Sequence, residues 1–197
     1  MANNQLEKNY QHFAFHIEEI DLKLIQGEYV LKDINGIIKP SGEAFMNIAE
    51  VNADVPWNGI LRRLIVADVT IDKMTLMTSP EIYKKAQADL LAIRSKIRDY
   101  EIRLRSFELH DSKITIQPNK TIEDIQLWVS NLEPKNRDSY SNFRISGSLF
   151  GPAPALIIGQ AKLNDRPIQW DINAIVKNFD LKTLNDFINK DQVTIHS

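Results

Sequence analysis

Along much of the chain apolar and polar residues alternate, and the alternation slips by one residue at recurring places. Leu64 and Val66 alternate, Val69 and Ile71 resume out of step, and Leu76 and Pro80 close the series. Ile102, Leu104, Phe107, Leu109, Ile114 and Pro118 repeat it 38 residues later. Strand side chains alternate faces with period two. The apolar residues therefore share one face only if an extra residue is absorbed between 66 and 69, and again between 104 and 107, as in a β-bulge. An earlier copy runs through Phe13, Phe15, Ile17, Ile20 and Leu22, and a weaker one through Ala44, Met46, Ile48, Val51, Ala53 and Val55. The repeating unit is a bent strand followed by a turn and a second short apolar alternation.

Between the two copies, Ser79-Pro80-Glu81 is a helix start, with a serine cap, a proline at the first position and an acid in the first turn. The stripe Ile82, Ala86, Leu90, Ile93, Ile97 and Tyr100 predicts a helix over 80–99, about 30 Å long, that buries one face along several strands. After Pro118 the pattern continues through Ile122, Ile125, Leu127 and Val129. Three alternating runs then predict an antiparallel meander: Phe143–Leu149, Ala155–Leu163 and Ile168–Val176. Asp180 would cap a short helix carrying Leu181, Leu184 and Ile188. The expected class is α+β and β-rich: bent, groove-like antiparallel sheets, one long amphipathic helix packed on them and a short C-terminal helix. Residues 1–12 read as a disordered lead or cloning remnant, and 13–197 as a single domain. The end at Thr194-Ile195-His196-Ser197 reads like the opening of another strand, so the domain is expected to be a fragment of a longer protein.

A hydrophobic fraction of 43% and a charged fraction of 25% are globular values. A net charge of −2 argues against a nucleic-acid partner held by a broad basic surface. The absence of cysteine removes disulfides, thiol nucleophiles and cysteine-ligated metals. The four histidines show no metal spacing, Asp68 and Asp72 lack a calcium loop, and no glycine-rich phosphate loop or nucleophile elbow occurs. The expectation is a protein that is not an enzyme and carries no cofactor or metal.

From Phe143 onward, Gly147-Ser148-Leu149-Phe150-Gly151, Gly159, Pro167, Phe179-Asp180-Leu181 and Leu184-Asn185 resemble the AsmA-like proteins of bacterial envelopes, in a branch known only as a domain of unknown function. The slipped strands, and Trp57-Asn58-Gly59-Ile60-Leu61 ahead of them, resemble that family's repeating unit. The resemblance implies a periplasmic β-groove, anchored in the inner membrane by a helix of the parent protein that this chain lacks. The implied partner is phospholipid or another membrane lipid, with adjacent repeats or another envelope protein beside it, and the implied role is lipid transport or outer-membrane maintenance. Arg62-Arg63 stand where relatives often carry glycine.

The one-sided apolar meander supplies the candidate groove wall: Phe143, Ile145, Leu149, Ile157, Leu163, Ile168, Trp170, Ile172 and Val176. The residues leave two readings open. The apolar face is either a closed core under the helix, as in a scaffold domain without lipid, or an open trough for acyl chains.

Overall fold

The computed structural model describes residues 10–56, 64–96, 101–116, 120–133, 139–162 and 168–178, with no side-chain description for 91–96. Nine strands form one sheet in sequence order: β1 (Phe13–Lys23), β2 (Glu28–Ile38), β3 (Glu43–Asp54), β4 (Leu64–Thr78), β5 (Glu101–Ile116), β6 (Lys120–Leu132), β7 (Ser141–Leu149), β8 (Ala153–Lys162) and β9 (Gln169–Val176). Every neighbouring pair is antiparallel except β4 and β5, which are parallel and joined through the single described helix, α1 (Pro80–Lys96). The parallel pair explains the internal repeat. Val69 lies beside Phe107, Ile71 beside Leu109 and Leu76 beside Ile114, so repeat-equivalent residues are neighbours across the ladder.

The α+β expectation is corrected by this arrangement. Among the described residues the protein is mostly β, one mixed sheet rather than several antiparallel sheets, with one helix of 17 residues. That helix does not lie along the strands with a continuous buried stripe. Ile82 is buried and Ala86 half-buried, but Leu90 and Tyr83 are each 64% exposed, and the next residue on the buried face is Asp89. The reason is polar anchoring: Asp89 accepts hydrogen bonds from Gln11 N (3.2 Å), His12 N (3.1 Å) and the His12 ring (3.1 Å), which ties the helix to the lead into β1. Burial would raise the Asp89 carboxyl, yet these hydrogen bonds outweigh it and hold the group below its ordinary value. Ser79 Oγ accepts from Ile82 N and caps the helix. The expected short helix at Asp180, with Leu181, Leu184 and Ile188, falls outside the described residues. Of the expected lead, Tyr10, Gln11 and His12 are held in place, with Tyr10 stacked edge-on against Phe15 at 4.9 Å.

The slips are also made differently from the expectation. β1 pairs with β2 without a register shift, and in the β4–β5 ladder residues 66 to 69 of β4 are consecutive, with no extra residue absorbed on that strand. In β5 a shift does occur, opposite Ala67/Asp68, where Arg105 is the extra residue. A second extra residue, Phe45 of β3, stands opposite Gly36/Ile37, and four strands bend at residues in the left-handed region: Asp33 in β2, Lys73 in β4, Asp111 in β5 and Asp124 in β6. Their flanking residues are register partners from β2 to β5, so the bends form a line across the sheet. A left-handed residue reverses the parity of all that follows it in a strand. Leu31 and Ile34, Ile71 and Met74, and Ile122 and Ile125, each three apart, thereby return to one face.

Ser112 is fully buried on this line. Its hydroxyl donates to His110 O at 2.8 Å and accepts from Met74 N at 3.0 Å, so a bend that frees a backbone N–H leaves none unpaired. The core proper gathers at one end of the sheet, where Phe13, Ile38 and Phe45 meet Ile82 of α1, with Phe15, Met46, Leu76 and Ala86 packed around them. Gly36 makes room there: a Cβ on it would come within 2.9 Å of the Phe45 ring.

Candidate functional site

The apolar face covered by α1 over β1–β4 continues onto β5–β8, where it forms an open trough of about 310 Å³. Two register rows build it. Leu109, Leu127, Ile145 and Ile157 lie side by side across four strands. Ile114, Ile122 and Leu149 form the second row, and Ile125, Gly147 and Ala155 line the space between. Ser146, the one polar residue that borders the trough, alternates with Ile145 and Gly147 and also lines the depression on the opposite face beside its register partner Gln126.

The trough owes its curvature to the bends. Asp111 and Asp124 both take positive φ, the β5–β6 ladder shifts register twice around Ser112, and the β6–β7 ladder shifts between Glu123 and Gln126. Bulges of this kind tighten the local twist and bend the strand. Gly147 sits opposite the β6 bulge, where a Cβ would come within 2.9 Å of Glu123 O; only glycine lets the two backbones approach this closely. Asp111 is held by Gln126, whose amide donates to its carboxylate at 2.7 Å.

Of the groove residues expected from the sequence, Ile145, Leu149 and Ile157 line the trough. Phe143, Trp170, Ile172 and Val176 share its face but stand beyond it. Phe143 lies over Gly159 and meets the Trp170 ring edge-on at 6.2 Å, while Trp170, Ile172 and Val176 are 57%, 53% and 41% exposed on the last strand. Ile168 precedes β9 and is exposed, and Leu163 falls outside the described residues. The sequence reading missed the β5 and β6 half of the wall: Leu109, Ile114, Ile122, Ile125 and Leu127. The available signal was the three-residue spacing Ile122-Glu123-Asp124-Ile125, with an aspartate, a residue tolerant of the left-handed region, placed where the face must be recovered.

The opposite face is polar and carries an ionic ladder. Asp72 of β4 and Glu108 of β5 hold the two nitrogens of the His110 ring at 3.0 and 3.2 Å. Burial would lower the His110 pKa, but the hydrogen bonds to Asp72 and Glu108 outweigh it, so the imidazolium is favoured above its ordinary range. Asp68 accepts from Arg105, the bulge residue of β5, and from Ser106 at 2.9 Å. A shallow depression of about 140 Å³ lies beside His110, between Gln126, Trp128 and Arg144.

No protein-family model and no curated protein matches this sequence. Among the described residues no group of three or more His, Asp or Glu side chains is arranged to hold a metal ion. His110 is engaged on both ring nitrogens by carboxylates. Among the described residues, no helix is long and apolar enough to cross a membrane.

Proposed function

We propose that this chain is a non-enzymatic, AsmA-like segment of a bacterial envelope protein that binds or guides membrane lipid, with acyl chains lying in the β5–β8 trough. The observation that carries the reading is the trough itself: about 310 Å³ of open space, walled by aliphatic side chains from four strands, on a face that the helix covers only at its other end. A volume of this size is at the lower end of small-molecule sites, which run roughly 300–1,000 Å³. It suits a flexible hydrocarbon chain better than a rigid polar metabolite, because its walls are almost wholly aliphatic. An apolar surface left in water is unfavourable by roughly 25 cal/mol per Å², and an acyl chain laid along it removes that area from solvent. The bound phospholipid, the periplasmic setting and the anchorage in a longer parent all belong to this proposal.

The test is native mass spectrometry of the chain purified from a bacterial host without harsh detergent, followed by lipid extraction. Co-purifying phospholipid is expected, and Ile157→Asp should abolish it while Ile158→Asp, one residue along β8 on the opposite face, retains it; circular dichroism checks that both variants are folded. A lipid-free mass for the unsubstituted chain, or equal retention by both variants, overturns lipid carriage. That outcome leaves a scaffold domain.

A further inference from the structure

The two edges of the sheet are built differently. β1 carries Glu18, Glu19, Asp21 and Lys23, and its Glu19 and the turn-proximal Lys23 are paired with Lys32 and Glu28 of β2. Charges along an edge strand are a common protection against pairing with another chain. β9 has no such protection. Its eight residues, Gln169-Trp170-Asp171-Ile172-Asn173-Ala174-Ile175-Val176, contain one charge and no proline, and every one of them is exposed. The β7–β8 and β8–β9 ladders run without a register shift, so no bulge deflects this edge. Among the described residues β9 is paired on one side only.

We propose that β9 is a self-association edge, and that its partner is β9 of a second copy, paired antiparallel about a twofold axis through Asn173. Antiparallel pairing within one sheet keeps side chains on their own faces, so opposed residues must have the same parity. The Asn173 axis satisfies this. It sets Ile172 against Ala174 and Trp170 against Val176 on the apolar face, large against small, and Asp171 against Ile175 and Asn173 against its own copy on the polar face. No like charges meet. The charged β1 edge is the poorer complement to so apolar a strand. A closed twofold contact also ends at the dimer, whereas β9-on-β1 stacking would propagate without limit.

The twofold axis stands perpendicular to the sheet, so the apolar faces of both copies point the same way. The exposed Trp170, Ile172 and Val176 thereby become the middle of one continuous apolar surface linking two troughs. The pairing goes beyond the lipid reading and holds whether or not lipid is bound. One strand pair buries less than the roughly 1,000 Å² of a stable complex, so the dimer is expected to form in a micromolar concentration range.

The chain has no cysteine, so Asn173→Cys introduces a unique thiol. Residues directly opposed in an antiparallel pair have Cα atoms about 4.5–5.5 Å apart, within disulfide reach. Mild oxidation of the full chain should therefore yield a covalent dimer with Asn173→Cys and not with Ile175→Cys, whose two copies lie four residues apart along the pair. In sedimentation velocity, Asn173→Lys and Asn173→Asp should each weaken dimerisation several-fold, and an equimolar mixture of the two should restore it. A monomer at every concentration overturns the proposal, as does equal cross-linking at positions 173 and 175, or a lysine and aspartate mixture no tighter than either variant alone.

Discussion

At the scale of single residues, polar side chains decide where this sheet bends and how it responds to pH. Ser112 is the smallest hydroxyl that can serve Met74 N while filling a fully buried position on the bend line. Asp111 and Asp124 accept positive φ at the two places where β5 and β6 must recover their apolar face. These were legible in part: an aspartate between apolar residues three apart is a recognisable signal, yet the slips assigned to 66–69 and 104–107 rest on spacing alone, and only the second is a bulge. His110 supplies the pH prediction. Its folded-state pKa lies above the ordinary 6.5, so its contribution to stability is complete below that value and is lost as pH rises through the folded-state value. The urea midpoint of the unsubstituted chain should fall between pH 6 and pH 8.5 by more than that of His110→Gln. Parallel pH profiles for the two proteins would show that the pairing with Asp72 and Glu108 does not contribute. The partners are more than a third exposed, so solvent screening keeps the effect small.

At the scale of elements, α1 shows why a helix read from periodicity can be present and still be misplaced. The stripe from Ile82 to Tyr100 has helical spacing, and spacing alone does not reveal that Asp89 is the residue turned toward β1. Among the described helix side chains, Ile82 and Ala86 pack over Phe13, Ile38 and Phe45, while Leu90 stays in water. Truncating the two apolar residues should separate the alternatives. Ile82→Ala is expected to cost roughly 2–4 kcal/mol, as for other buried aliphatic truncations, and Leu90→Ala less than about 0.5 kcal/mol. Equal losses in chemical denaturation would mean that the helix packs along its whole length after all. The β strands were more legible than the helix packing, because a period of two survives any choice of neighbour.

At the scale of the whole molecule, one apolar face carries a helix-capped core at one end, an uncapped trough over β5–β8 and the exposed side chains of β9, and the proposed lipid lies in the trough. Filling it provides a separate test. Ala155 lines the trough and is half-buried, so Ala155→Trp would place a large side chain in the space an acyl chain would occupy. The variant should hold or raise the thermal midpoint, since it covers aliphatic surface, and should purify with less lipid than the parent. Unchanged lipid content with a well-folded protein would place the ligand elsewhere on the face.

Most of the strands, the 38-residue repeat, the helix start at Ser79-Pro80 and the apolar side of the C-terminal meander could be read from the sequence, although Asn35-Gly36, a turn signal by composition, lies inside β2. Each of these depends on residues close together in the chain, and local periodicity and capping chemistry are enough to specify them. Three facts appear only once the chain is folded: the repeat lies in parallel, neighbouring strands, Asp89 fastens the helix over one end of the sheet, and Leu109 and Leu127 join Ile145 and Ile157 in one row. Those facts depend on strand order and register. They are fixed by the simultaneous satisfaction of backbone hydrogen bonds and face assignment across all nine strands, a condition that no single stretch of sequence expresses.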